Sequence, residues 1–156
     1  MRYIYYSIIV FIIILCFCYF VYPSNITIHQ LSLDNFNFDV LYNRQPIVIE
    51  DKLVDINKII SLWFDFNIIQ YPIINSEWYR TQFKYTILQS TEDTEILLSN
   101  PYTNITNNKP NEDTKLVLIK LKENQFIILP FKWYFHKNKN IKIIGIHDII
   151  TYINIF

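Results

Sequence analysis

Residues 115–129 read KLVLIKLKENQFIIL. Two aliphatic runs, 115–121 and 125–129, flank the polar triplet Lys122-Glu123-Asn124. Strand formers, a short polar break and strand formers again make the strongest hairpin signal of the chain. Pro130 closes the second run, because proline has no N–H with which to continue a ladder. Further on, the basic turn Lys137-Asn138-Lys139-Asn140 leads into IKIIGI at 141–146. The tail HDIITYINIF either extends that strand or forms a last amphipathic helix. Toward the amino end, residues 100–113, NPYTNITNNKPNED, are dense in turn formers and read as the clear loop of the chain. Residues 82–89 and 95–98 read as strands joined by a turn at 91–94, a second expected hairpin. In the former, Phe83, Tyr85, Ile87 and Gln89 share one side. Residues 46–49, PIVI, read as a strand, and 24–40 as a lead-in segment. Between them and the later strands lies the one clear helix. In LVDINKIISLWFDF, Leu53, Ile56, Ile59, Ile60, Trp63 and Phe64 recur at three and four, with Asp55 as N-cap. Strands dominate, so residues 23–156 are expected to form a single small mainly-β (α+β) head of two packed layers.

The first twenty-two residues, MRYIYYSIIVFIIILCFCYFVY, stand apart. Their near-continuous apolar run predicts a transmembrane helix over 1–22, an anchor meeting membrane lipid through residues 3–22. Aromatics gather at both ends, as at a bilayer interface. Arg2 precedes the run, and the next charged side chain after it is Asp34. That bias predicts a single-pass protein with a cytoplasmic amino terminus and a head on the lumenal, external or intravirion side. A cleaved signal peptide is the competing reading, although the exit FVYPS lacks small residues at a cleavage position. On that side of a membrane the sequons at Asn25 and Asn104 become candidate glycosylation sites.

Isoleucine occurs 31 times, glycine once and alanine never. Residues of A/T-rich codons are favoured throughout, as in a low-GC genome such as that of a large DNA virus or an A/T-rich protist. With Arg2 set aside, the head carries 13 basic and 14 acidic residues. That balance argues against a nucleic-acid partner, which needs a positive stripe. The two cysteines, Cys16 and Cys18, both lie in the hydrophobic start, so the head has no thiol nucleophile or disulfide. A single glycine, Gly145, excludes glycine-rich phosphate loops. Turns that need positive φ must then lean on residues such as Asn.

Two segments carry a resemblance. LYNRQPIVIEDKLVDINKIISLWF resembles the opening of cupin-like and JmjC-like domains, with Gln45-Pro46-Ile47-Val48-Ile49 as the strand and Trp63 in the following helix. ENQFIILPFKWYFH resembles their late segment, with Pro130, Trp133 and His136 in the places of its proline, tryptophan and histidine. The chain is similar in this to small degenerate proteins of large DNA viruses. The resemblance implies a truncated, degenerate double-stranded β-helix of the cupin or jelly-roll type. Active members hold Fe(II) through a His-x-Asp/Glu pair and a distant histidine, and use 2-oxoglutarate. Here none of His29, His136 and His147 begins such a pair, so no cofactor and no metal are expected, and His136 is the one residue matching a ligand position.

His147 and Asp148 are adjacent, and in a strand their side chains would point to opposite faces. Trp133 and Tyr134, near the basic Lys132, are candidates for stacking on a sugar or a partner side chain. The poverty of catalytic groups points to a membrane-anchored accessory or structural protein whose non-catalytic head contacts a protein partner. An oxygenase or its remnant, and a carbohydrate-binding head, are the alternatives.

Overall fold

The computed structural model describes residues 2–23, 25–103, 105–106, 109–111 and 114–153. Helix α1 spans Arg2–Phe20. The head opens with β1 (His29–Leu31), a 3-10 helix at Phe38–Asn43, β2 (Ile47–Ile49) and α2 (Ile56–Trp63). Next come β3 (Ile68–Gln70), β4 (Trp78–Arg80), β5 (Tyr85–Ser90) and β6 (Thr94–Ser99). A small ribbon, β7 (Ile105–Thr106) and β8 (Lys109–Pro110), precedes β9 (Val117–Leu121) and β10 (Phe126–Pro130). The chain closes on β11 (Tyr134–His136), β12 (Ile141–His147) and α3 (Ile149–Tyr152).

The strands make a six-stranded sheet, β1-β2-β10-β5-β12-β3, and a four-stranded sheet, β4-β11-β6-β9. From β3 onward, leaving the ribbon aside, eight strands wrap between the two sheets. Their neighbours pair as β3 with β12, β4 with β11, β5 with β10 and β6 with β9, all antiparallel. Pairing first with last and working inward is the winding of a jelly roll. All eight strands of the wrap are present, so the expected truncation is not found in it.

Both expected hairpins are corrected by this winding. Strands do form at Tyr85–Ser90 and Thr94–Ser99, the first starting three residues later than expected, but β5 and β6 lie in different sheets, and so do β9 and β10. β5 is flanked by β10 and β12, which leaves it no free edge for β6. The short turns therefore carry the chain across the sandwich, and they brace each other. Ser90 Oγ donates to the carbonyls of Lys122 and Gln125, and Glu123 N donates to Asp93 Oδ1 at 2.8 Å. Asn124 takes a positive φ of 65° in the second turn, as the scarcity of glycine predicts.

Two cores result. Between the sheets pack Leu88, Ile96, Leu98, Ile127, Trp133 and Phe135. On the outer face of the larger sheet, Ile56, Ile60 and Phe64 of the α2 region cover Ile47, Ile87, Phe126 and Ile144. The helix begins where Asp55 accepts from Asn57 N at 3.2 Å, as its N-cap position predicts. At the carboxyl end, Asp148 and Thr151 form a reciprocal capping box for α3.

The expected transmembrane helix is overturned. Among the described residues no helix is long and apolar enough to cross a membrane. Arg2 and the polar atoms of Tyr3, Tyr5, Tyr6 and Ser7 occupy the first turns of α1. The strictly apolar run left at 8–18 is about 16 Å long at 1.5 Å per residue, against a hydrocarbon core of about 30 Å.

Candidate functional site

The residues singled out in the sequence fall in different environments. Along β11 side chains alternate between faces. Trp133, just before it, and Phe135 are buried between the sheets, whereas Tyr134 and His136 are only partly covered. Trp133 is 2% exposed, and its indole N–H donates to the Arg44 carbonyl at 3.1 Å. Tyr134 lies opposite Arg80 on β4, whose guanidinium carbon is 5.2 Å from its ring centroid. His136 lies opposite Trp78, with ring centroids 5.4 Å apart.

His136 Nε2 also meets Glu77 Oε1 at 3.2 Å, and Lys109 Nζ stands 3.7 Å from the other carboxylate oxygen. The hydrogen bond from His136, helped by the Lys109 charge, lowers the Glu77 pKa. Across from His136, β4 offers Trp78, Tyr79 and Arg80 rather than further ligands. No group of three or more His, Cys, Asp or Glu among the described residues is placed to hold a metal ion.

His147 and Asp148 go to separate partners. His147 Nε2 meets Gln70 Oε1 at 3.0 Å, and its ring is wedged against Phe83 and Tyr152. Asp148 caps α3 and stands 3.6 Å from Lys84 Nζ. His29 is half-buried on β1. Asn25 is exposed and its carbonyl accepts from Gln45 Nε2 at 2.8 Å, while Asn104 lies outside the described residues.

A site that the sequence reading missed lies where α1 meets the head. A cleft of about 270 Å³ is walled by Tyr22, Tyr42, Tyr85 and Phe131, with Arg44 and Lys84 among its lining residues. No acidic side chain is among the described residues lining it. A more open hollow of about 660 Å³ adjoins it on the α1 side, sharing Tyr22, Tyr42 and Arg44 and reaching Phe17.

Arg44 is placed by three contacts. It closes the 3-10 helix in the left-handed conformation (φ 54°, ψ 32°), and its N–H donates to the Leu41 carbonyl at 3.3 Å. Its carbonyl is fixed by Trp133, and its Nη1 donates to the Val21 carbonyl at 2.6 Å. The guanidinium carbon then lies 5.5 Å from the Tyr22 ring centroid. Tyr22 is only 7% exposed, and its hydroxyl has no hydrogen-bond partner among the described residues. Burial raises the Tyr22 pKa, while the charges of Arg44 and Arg80 pull it the other way. Burial likewise pushes the Tyr85 hydroxyl up to about 12. Lys132, which follows Phe131 with a φ of 66°, is pulled down to about 8 by burial and then by Arg80. Lysines far outnumber arginines in this chain, so the scarcity of arginine that marks out Arg44 is the signal the sequence held.

Compared with known proteins, the chain matches no family model, no curated protein and no solved structure.

Proposed function

We propose that this is a non-catalytic contact protein that embeds α1 in lipid, without crossing the bilayer, and presents a cupin-like head to a protein partner. The observation that carries the reading is the exposure of α1. Tyr3, Ile4, Tyr5, Tyr6, every residue from Ile8 to Ile14, and Phe17 are all at least half exposed. A helix apolar on all sides needs an apolar surround rather than a groove on one face. Covering each such side chain is worth about 1.5–3 kcal/mol. Lipid supplies that surround along the whole helix, and the tyrosines of the first turns suit headgroup depth. The cupin-like part rests on the strand winding and on Pro130, Trp133 and His136 falling at the β10–β11 passage. The protein-contact part draws on exposed Leu62, Phe66 and Ile73 around edge strand β3, whose outer edge pairs with no other strand among the described residues.

Flotation of the full chain with phosphatidylcholine vesicles tests the lipid reading. The protein should rise with the vesicles, and Ile9→Asn with Ile13→Asn should leave it at the bottom of the gradient. A wild-type chain that stays at the bottom at every lipid concentration overturns the reading.

A further inference from the structure

The cleft between Arg44 and Lys84 has the chemistry of an anion site, and we infer that it binds the phosphate group of an organic phosphate whose apolar portion lies against its aromatic walls. Among the described residues, only one guanidinium nitrogen of Arg44 is engaged in a hydrogen bond, by the Val21 carbonyl. An arginine has five N–H donors in a planar fork, so this leaves donors suited to two oxygens of one phosphate. Lys84, also in the lining, adds a point charge. Its ammonium is ion-paired with Asp148 at 3.6 Å, and its side chain keeps 40% of its surface exposed for a second anionic contact. The Arg44 guanidinium lies beside the Tyr22 ring while Asp148 acts on Tyr85, so an anion is drawn to the Arg44 end of this partly enclosed space. Tyr22, in the wall, adds a hydroxyl that has no hydrogen-bond partner among the described residues. The volume, about 270 Å³, lies just under the range of about 300–1,000 Å³ for drug-sized ligands, which suits a headgroup or a small phosphate ester.

The adjoining hollow opens toward Phe17 of α1, so a phosphate in the cleft can carry its apolar portion along the helix. A phospholipid headgroup and a soluble phosphate ester share this chemistry. The lipid source rests on the reading of α1 given above; the anion site itself does not.

The test uses the full chain and four probes: glycerol phosphate titrated by calorimetry, inorganic phosphate likewise, phosphatidylcholine vesicles, and the same vesicles doped with phosphatidic acid. Arg44→Asn keeps a residue that tolerates positive φ. Lys84→Gln removes the charge from a side chain that is 40% exposed and should leave folding intact. Lys120→Gln, on β9, is the control. Each cleft variant should weaken binding about tenfold, as expected for loss of one charge-assisted contact, and Lys84→Arg should restore it. Saturable binding of glycerol phosphate or inorganic phosphate, lost in the variants, supports the site with a soluble source. A preference for doped vesicles, lost in the variants, supports it with a headgroup source. Equal binding by wild type and Lys84→Gln, or no response to any phosphate probe, overturns it. Flotation with undoped vesicles that no cleft variant alters leaves the α1 reading standing, whereas phosphate binding without flotation leaves only the cleft.

Discussion

The hydroxyl of Tyr102 is bonded to both main-chain groups of Tyr22, accepting from its N–H at 3.1 Å and donating to its carbonyl at 3.1 Å. The two rings meet edge to face with centroids 6.1 Å apart. Eighty positions of sequence separate them. This pair, with the Arg44 bond to Val21, fixes the exit of α1 against the head.

Tyr102→Phe should therefore lower stability by about 1–3 kcal/mol, because two partly buried main-chain groups lose their partner while the ring stays. Urea unfolding followed by tryptophan fluorescence measures this. A loss within experimental error would mean that water replaces the hydroxyl freely.

Gly145 is needed for space rather than for backbone freedom. A Cβ built there would lie 2.4 Å from Cδ1 and Cε1 of Phe83. Gly145→Ala should cost about 1–3 kcal/mol through overpacking. Phe83→Leu shortens the opposing ring, so the double variant should lose less than the two single losses added together. Strict additivity in a double-mutant cycle would show that the two residues do not compete for this volume.

Burial lowers the His147 pKa, against smaller opposing effects from the Thr151 backbone and Asp148. The folded state thus binds its proton less readily than the unfolded chain, whose histidine titrates near 6.5. The stability this gives the neutral form is fully present above pH of about 6.5 and is lost as pH falls through the folded-state value. Between neutral and mildly acid pH, the wild type should lose more stability than His147→Gln. Parallel pH profiles for the two proteins would count against a buried neutral imidazole.

The alternation and helical spacing in the sequence identify α2 and the strands β2, β5, β6, β9, β10 and β12, since burying one face forces those periods. Strands β1, β3, β4 and β11, of three residues each, are too short to show one, and β7 and β8 fall in the segment read as a loop. Asp55 is read correctly as a cap for the same reason: its oxygen must satisfy nearby N–H groups. Strand partners are not readable that way. Lys122-Glu123-Asn124 suits a tight reversal, and whether the returning strand joins the same sheet or the facing one depends on which edges are already taken. The cleft was hidden for a related reason. Tyr22, Arg44, Lys84 and Phe131 are far apart in the chain and belong to no motif; only the fold assembles them. Trp133 was readable as important, but its aromatic character could not say whether the ring faced solvent or the core.

Trp133 connects the core to that cleft, and this makes it the most informative residue to change. Its ring fills space between the sheets, and its N–H holds the carbonyl of the residue that supplies the guanidinium. Trp133→Phe should cost about 1–3 kcal/mol, combining lost volume with an unsatisfied Arg44 carbonyl. It should also loosen the left-handed turn at Arg44 and so release the Nη1 bond to Val21. Amide exchange at Tyr22 and Arg44 should then accelerate more than exchange in β6 and β9, which lie farther from the turn. Uniform acceleration across all of these segments would mean that Trp133 contributes only bulk to the core, with no separate hold on the turn at Arg44.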